Sequence, residues 1–154
     1  MNLFAWLFGW ARRRRREAAR DQQQSAALPW RRDSAGALEV LLITSRETRR
    51  WVIPKGWPIP SLAPGPSAAQ EAHEEAGVRG EISAMPLGVY TYDKRLKRGR
   101  SRIVRVEVYG LEVRAEDADW RERGQREKAW LAPADAALRV DEPELRALIA
   151  SFNP

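Results

Sequence analysis

The chain has 154 residues, a length that fits one domain with a short extension. It contains no cysteine, which excludes disulfide bonds and thiolate metal sites. The net charge of +6 is unevenly distributed, because residues 1–20 carry six arginines and one glutamate and the rest of the chain sums to only +1. The basic character is therefore a property of the N-terminal segment, and the remainder has the composition of an ordinary globular domain.

The N-terminal segment joins an apolar decapeptide to the arginines at residues 12–16. The apolar part is shorter than the roughly 20 residues that span a bilayer, and its charges follow it, unlike those of a secretory signal peptide. Aromatic residues beside arginines favour peripheral contact with an anionic membrane surface. A disordered arm is the alternative, and clustered aromatics disfavour a nucleic-acid arm. We expect a cytoplasmic protein, with peripheral contact at the inner face of the membrane through residues 1–20 as a hypothesis.

Residues 1–25 are predicted to be this tail and a linker, and residues 26–154 to be the domain. Residues 27–31 predict a strand at a sheet edge because of Pro29, and the apolar residues 38–44 predict a buried strand. Residues 51–53 predict a short strand that ends before Gly56. Ser67 and Gln70 have the spacing of a capping box, and Gly77 that of a helix stop, so a helix is predicted between them.

The second half of the chain predicts strands over residues 81–93, 101–113 and 126–131, with a basic loop at 94–100. The segment 101–113 alternates, placing Val104, Val106 and Val108 on one face. Helices are predicted over residues 133–138 and 142–152. This order predicts an α+β fold, a mixed sheet with helices on its faces.

Three carboxylates mark the first helix as the functional element. Glu71, Glu74 and Glu75 stand at i, i+3 and i+4, which places them on one side of the helix, where like charges repel. A divalent cation bound among these hard oxygen ligands would explain the cluster, and Mg²⁺ or Mn²⁺ fits best. A solvated acidic face is the alternative.

The stretch from Gly56 to Val78 resembles the Nudix box of the Nudix hydrolases. That pattern is Gly, five residues, Glu, seven residues, then Arg-Glu-apolar-x-Glu-Glu-x-Gly-apolar. Gly56, the three glutamates and Gly77 match it, whereas Leu62 replaces the first glutamate and Gln70 replaces the arginine. The segments 88–95 and 119–127 resemble the diphosphoinositol-polyphosphate phosphohydrolase-like branch of the family.

The resemblance implies a Nudix-type α/β/α sandwich and a metal-dependent diphosphohydrolase. The substrate would be a nucleoside-diphosphate-linked compound, a dinucleoside polyphosphate or an inositol pyrophosphate, and the cofactor Mg²⁺ or Mn²⁺. The Gly56 carbonyl and the glutamates at 71, 74 and 75 would hold the metal. Because the neutral Gln70 replaces a charged hydrogen-bond donor, we expect reduced but real turnover.

The catalytic candidates are Glu71, Glu74 and, outside the box, Glu127. Glu107 is a second outside candidate, less favoured, and a solvated surface acid is the alternative for Glu127. Basic side chains near the strand end and in the loop are predicted to bind substrate phosphates, with ordinary surface charge as the alternative; they are Arg50, Lys55, Lys94, Arg95 and Arg100. The alternative function is a catalytically weak Nudix-fold module that binds a polyphosphate ligand or RNA.

Overall fold

The computed structural model describes residue 9, residues 11–15 and residues 22–154. Residues 11–15 are helical and exposed. Except for Gly9, the apolar decapeptide lies outside the described residues. The hypothesis of membrane contact depends on this segment and stays a prediction. Of the helices in the described part of the chain, none is long and apolar enough to cross a bilayer.

Eight strands form one mixed sheet. They are β1 (Gln23–Arg32), β2 (Leu38–Thr44), β3 (Trp51–Val52), β4 (Lys55–Gly56), β5 (Val78–Ile82), β6 (Gly88–Arg95), β7 (Ser101–Glu116) and β8 (Lys128–Leu131). The main order is β3-β2-β1-β7-β5, with β4 paired to β1, β6 to β7 and β8 to β2. The β1–β7 pair is parallel, and the other pairs are antiparallel.

In residues 22–154, three α-helices cover the sheet. Helix α1 (Pro64–Ala76) lies on one face, and α2 (Pro133–Arg139) and α3 (Pro143–Ala150) lie on the other. A 3₁₀ turn, Lys97–Gly99, closes the β6–β7 hairpin. The α+β sandwich with a mixed sheet that the sequence predicts is therefore confirmed.

The two-residue period of the strands divides the core into two halves. Val104, Val106 and Val108 are fully buried under α2 and α3, whereas Tyr109 and Leu111 pack under α1. On α1 the alanines at 68, 72 and 76 are fully buried, and such short side chains let a helix lie close to the sheet. This close approach also brings Glu71 and Glu75, which flank the alanines on the helix, to the strand that holds Gly56.

The first strand differs from its prediction. β1 begins at Gln23, inside the predicted linker, and it lies in the middle of the sheet and not at an edge. Pro29 is tolerated there because it lies between two registers: β4 pairs with β1 up to Ala26, and β2 pairs from Trp30 onward. No ladder hydrogen bond is lost where the proline lacks its N–H.

The start of α1 also differs. The helix begins at Pro64, so Ser67 is in its first turn and its buried Oγ has no hydrogen-bond partner. Proline suits the first helical position because its φ is fixed and its missing N–H would have had no partner. The predicted capping box is therefore wrong. The helix stop at Gly77 is confirmed, with φ at +71° and its N–H bonded to the His73 carbonyl at 2.9 Å.

Replacing Gly77 with alanine is expected to lower the free energy of unfolding by at least about 2 kcal/mol. The alanine would have to adopt a left-handed backbone conformation, and its Cβ would overlap the Trp120 ring. Gly124 has a φ of +81° with open space around it, so Gly124→Ala is the matched control and should cost only about 1 kcal/mol. Urea denaturation of the three proteins measures both values. Equal losses would contradict packing of Trp120 on Gly77.

Candidate active site

The acidic side of α1 meets the sheet at Gly56. A Cβ added at Gly56 would overlap the Glu71 carboxylate, so the absence of a side chain there lets the carboxylate lie on the strand backbone. Gly56 pairs with Ser25, and Ser25 pairs with Glu107, which places all three on the face that α1 covers. The structure thus brings together Gly56 and Glu71, the first and the second half of the box.

Glu75 is the more enclosed neighbour of Glu71, with a side chain only 12% exposed. One carboxylate oxygen accepts a hydrogen bond from Arg126 at 3.1 Å, and the other accepts from the backbone N–H of Lys55 at 3.3 Å. Both oxygens are therefore held by groups outside the helix.

Glu74 faces the segment between β7 and β8. Its carboxylate accepts hydrogen bonds from Gln70 and Arg121, both at 3.0 Å. Gln70 is therefore bonded to Glu74 and not to the helix N-terminus, where the capping-box spacing placed its partner. Leu62 is 39% exposed in the loop before the helix.

Residues 117–127, here called the clamp loop, are fixed along α1. The Glu122 amide donates to the Glu74 carbonyl at 3.0 Å, and the Asp117 amide donates to the Gly77 carbonyl at 2.8 Å. Asp117 also pairs with His73 at 2.7 Å, a contact the sequence gave no reason to expect. Hydrogen bonds with Arg79 and His73 lower the pKa of Asp117.

Burial sets the electrostatics of the carboxylates. It raises the pKa of Glu75 to about 7, against the opposing effect of Arg126 and Lys55. It also raises the pKa of Glu71, and the nearby charges of Glu74 and Glu122 add to that rise. Crowded, partly desolvated carboxylates of this kind gain stability from an added cation.

Known proteins were compared with this chain. No family model matches it. Nudix hydrolase 12, mitochondrial, of Arabidopsis thaliana is 36% identical over 112 residues, which cover 68% of this chain and 53% of that protein. Diphosphoinositol polyphosphate phosphohydrolase 3-beta of Homo sapiens is 36% identical over 101 residues, covering 64% of this chain and 57% of that protein.

The folded domain of this chain belongs to the Nudix family. A solved C. elegans Ap4A hydrolase has a TM-score of 0.60 at 22% identity, over 83% of this chain and 92% of that one, which shows the same fold. The chain spans little more than half the length of the two sequence relatives.

Glu107 and Glu127, the two catalytic candidates outside the Nudix box, lie on opposite faces of the sheet. Arg126 and Lys128 both reach α1, so Glu127 between them points away from it, and its side chain is exposed. The structure thus does not bring Glu127 to the box carboxylates. Glu107 lies on the α1 side, two ladder positions or about 10 Å from Gly56. Its carboxylate accepts hydrogen bonds from Tyr109 and Gln23.

The predicted phosphate-binding side chains of the Nudix domain divide between two places. Lys55 points to the face opposite Glu71, with its Nζ 5.3 Å from the Tyr92 ring centroid, and burial lowers its pKa against the effect of Glu75 and Glu142. Arg50 lies near it and bonds Asp141 and Glu142, both at 3.1 Å. These contacts with acids make Arg50 less available to a substrate than the sequence suggested.

The other place is the β6–β7 hairpin, which extends past the start of β1. Lys94 and Arg102 both lie near the Trp57 ring, with the Lys94 Nζ 4.8 Å and the Arg102 Cζ 5.6 Å from its centroid. Within the described residues, the salt bridges include none of the six hairpin cations, which are Lys94, Arg95, Lys97, Arg98, Arg100 and Arg102.

The donor set of the Nudix box fits a divalent cation in its chemistry and only in part in its arrangement. Hard carboxylate oxygens crowd beside Gly56, and Glu71 makes no side-chain hydrogen bond or ion pair in the described part of the chain. Yet no three acidic or histidine side chains of the described residues converge as a metal site. Arginines of the clamp loop instead engage Glu74 and Glu75.

Within the clamp loop the sequence indicated only Glu127, and not the arginines that contact the box carboxylates. Arg121 lies 47 positions along the chain from its partner Glu74, and Arg126 lies 51 positions from Glu75. Arg126 also bonds Glu122 within the loop. The alternation of β8 offered one available signal, since it places Arg126, and not Glu127, on the face of Lys128. The partner of Arg126 depends on the path of the loop, which no local pattern encodes.

Replacing Glu75 with glutamine should change how stability depends on pH. The folded pKa of about 7 lies above the ordinary 4.5, so the folded wild type binds the extra proton and loses stability as pH rises from about 4.5 to 7. Glu75→Gln lacks this loss, so its stability relative to wild type should improve by up to about 3 kcal/mol between pH 5 and 8. Urea denaturation in EDTA measures it, with Glu81→Gln as the exposed-carboxylate control. A pH-independent difference would contradict the burial argument.

Proposed function

We propose that this protein is a Mg²⁺- or Mn²⁺-dependent diphosphohydrolase that cleaves a phosphoanhydride bond in a nucleotide or inositol polyphosphate. The observation that carries the proposal is the Glu71 carboxylate resting on Gly56 beside the half-buried Glu75. The similarity to Nudix hydrolases and to diphosphoinositol polyphosphate phosphohydrolases supports the reaction class.

Glu71, Glu75 and the Gly56 carbonyl would hold the cation, with Glu74 joining after release from Arg121. When bound, the ion would polarise the phosphoanhydride and lower the pKa of a bound water. The hairpin cations would bind the remaining phosphates, since none of them pairs with an acid among the described residues, and two of them, Lys94 and Arg102, lie near the Trp57 ring. Glu107, on the α1 face, is the carboxylate outside the box best placed to accept a proton.

A catalytically weak binding module is the second candidate. The pairing of Glu74 with Arg121, and of Glu75 with Arg126, favours it, because these arginines already neutralise two of the three box carboxylates. A module of this kind would bind a polyphosphate ligand through the hairpin without cleaving it.

Assays with Mg²⁺ or Mn²⁺ against dinucleoside polyphosphates, ADP-ribose and inositol pyrophosphates distinguish the two candidates. We expect turnover of at least one substrate, and a loss of at least about a hundredfold in Glu71→Gln, the scale of a lost metal ligand. Glu81→Gln removes an exposed carboxylate elsewhere and should retain wild-type rates. Binding of these compounds without any turnover would favour the module instead.

Removing a hairpin cation should weaken substrate binding more than turnover. For Lys94→Gln we expect KM to rise about three- to tenfold while kcat changes by less than about twofold, because the lost attraction acts on bound substrate and transition state alike. Arg114→Gln, whose partners Glu81 and Glu112 lie away from the box, is the matched control. Steady-state kinetics at low salt give both constants. An unchanged KM in Lys94→Gln would exclude this residue from substrate binding.

A further inference from the structure

The most enclosed ion pairs of the domain meet at Arg126. Its side chain is 9% exposed, and its partners Glu75 and Glu122 are 12% and 16% exposed. Among the described residues, these two pairs alone have both side chains less than a fifth exposed. An enclosed guanidinium is fixed far more strongly than a surface arginine, since solvent does not compete for its donors.

Each nitrogen of Arg126 bonds a different part of the fold. Nη2 donates to Glu75 on α1 at 3.1 Å, Nη1 donates to the Thr44 carbonyl at the end of β2 at 3.1 Å, and Nε donates to Glu122 of the clamp loop at 3.0 Å. Three anchors from three segments leave the guanidinium one orientation. The oxygen of Glu75 that it holds has one orientation as a consequence.

Glu75 is also held from its other side. Its second oxygen accepts from the Lys55 amide, one residue before Gly56. A carboxylate has about four acceptor positions, so one bond to each oxygen still leaves Glu75 able to bind a cation. Arg126 and the β4 backbone together therefore fix this carboxylate without using all of its acceptor positions.

The other arginine of the clamp loop that contacts the box has none of these properties. Arg121 is 74% exposed and makes a single bond, to Glu74 at 3.0 Å. Gln70, the one polar side chain of α1 bonded to a box carboxylate, also contacts Glu74 and carries no charge. For Glu75, the charged partner comes from outside the helix.

We propose that Arg126 is a positioning residue, which acts through Glu75 and not on the substrate. It holds the Glu75 carboxylate in the orientation that binds the divalent cation, and Glu122 in turn holds Arg126. This inference rests on the metal-dependent function proposed above. It assigns Arg121, by contrast, to a surface contact that the cation site does not require.

Mn²⁺ titration of the substrate-free protein, followed by the electron paramagnetic resonance signal of free Mn²⁺, tests this directly. We expect Arg126→Gln to weaken Mn²⁺ binding about 10- to 100-fold, the effect of losing a residue that orients a ligand. Arg126→Lys keeps the charge but loses the planar guanidinium, so its Mn²⁺ affinity should fall between those of the wild type and Arg126→Gln. Arg121→Gln is the matched control and should bind Mn²⁺ at least as tightly as wild type, because the loss of Arg121 only frees Glu74.

Thermal unfolding of the same metal-free proteins separates positioning from a purely structural role. A structural role would lower the Tm of Arg126→Gln and leave the Mn²⁺ affinity of the folded protein unchanged, which would overturn the inference. If Arg126→Gln does not fold, Glu122→Gln carries the test, because it removes one anchor of Arg126; we expect about a three- to tenfold loss of affinity, and unchanged affinity would overturn the inference.

The wild type separates this inference from the proposed function. A wild-type protein that binds no Mn²⁺ would overturn both. Wild-type binding with equal affinity in Arg126→Gln would overturn only the role of Arg126, and the metal-dependent function would stand.

Discussion

Crowding of like charges on one partly buried turn of α1 is the constraint on which the site depends. Three carboxylates within five residues repel one another, and burial further disfavours the ionised forms of Glu71 and Glu75. The helix cannot move away to relieve this, because its alanine face is buried against the sheet. Compensation therefore comes from neighbouring segments: the β4 backbone at Glu75 and the arginines of the clamp loop at Glu74 and Glu75.

The two residues of β4 face opposite sides of the sheet. Successive residues of a strand point to opposite faces, so Gly56 meets the acidic helix while Lys55 points to the aromatic residues behind it. The backbone between them donates the amide that holds Glu75. A strand of only two residues thus contacts the box carboxylates on one face and Tyr92 on the other.

Local patterns predicted the elements that obey local rules. The helix that carries the three glutamates, its stop at Gly77 and the buried valines of β7 are all confirmed. Each of these predictions depends on residues within a few positions of one another. The position of β1 and the start of α1 were wrong, because Pro29 falls in a gap between two strand partners and Pro64 satisfies the helix start without a side-chain cap. Arg126 escaped prediction because its partners are set by tertiary structure.

The parallel pairing of β1 with β7 has a consequence for how the chain folds. Gln23 pairs with Arg105 and Trp30 with Glu112, so the first strand waits for a partner about 80 residues later in synthesis. Contacts this distant in sequence close slowly, and parallel strands leave their edges open until they do. During translation the central strand of the sheet would remain unpaired on that side until β7 emerges from the ribosome. The domain therefore depends on completion of β7 before either half of its core can close.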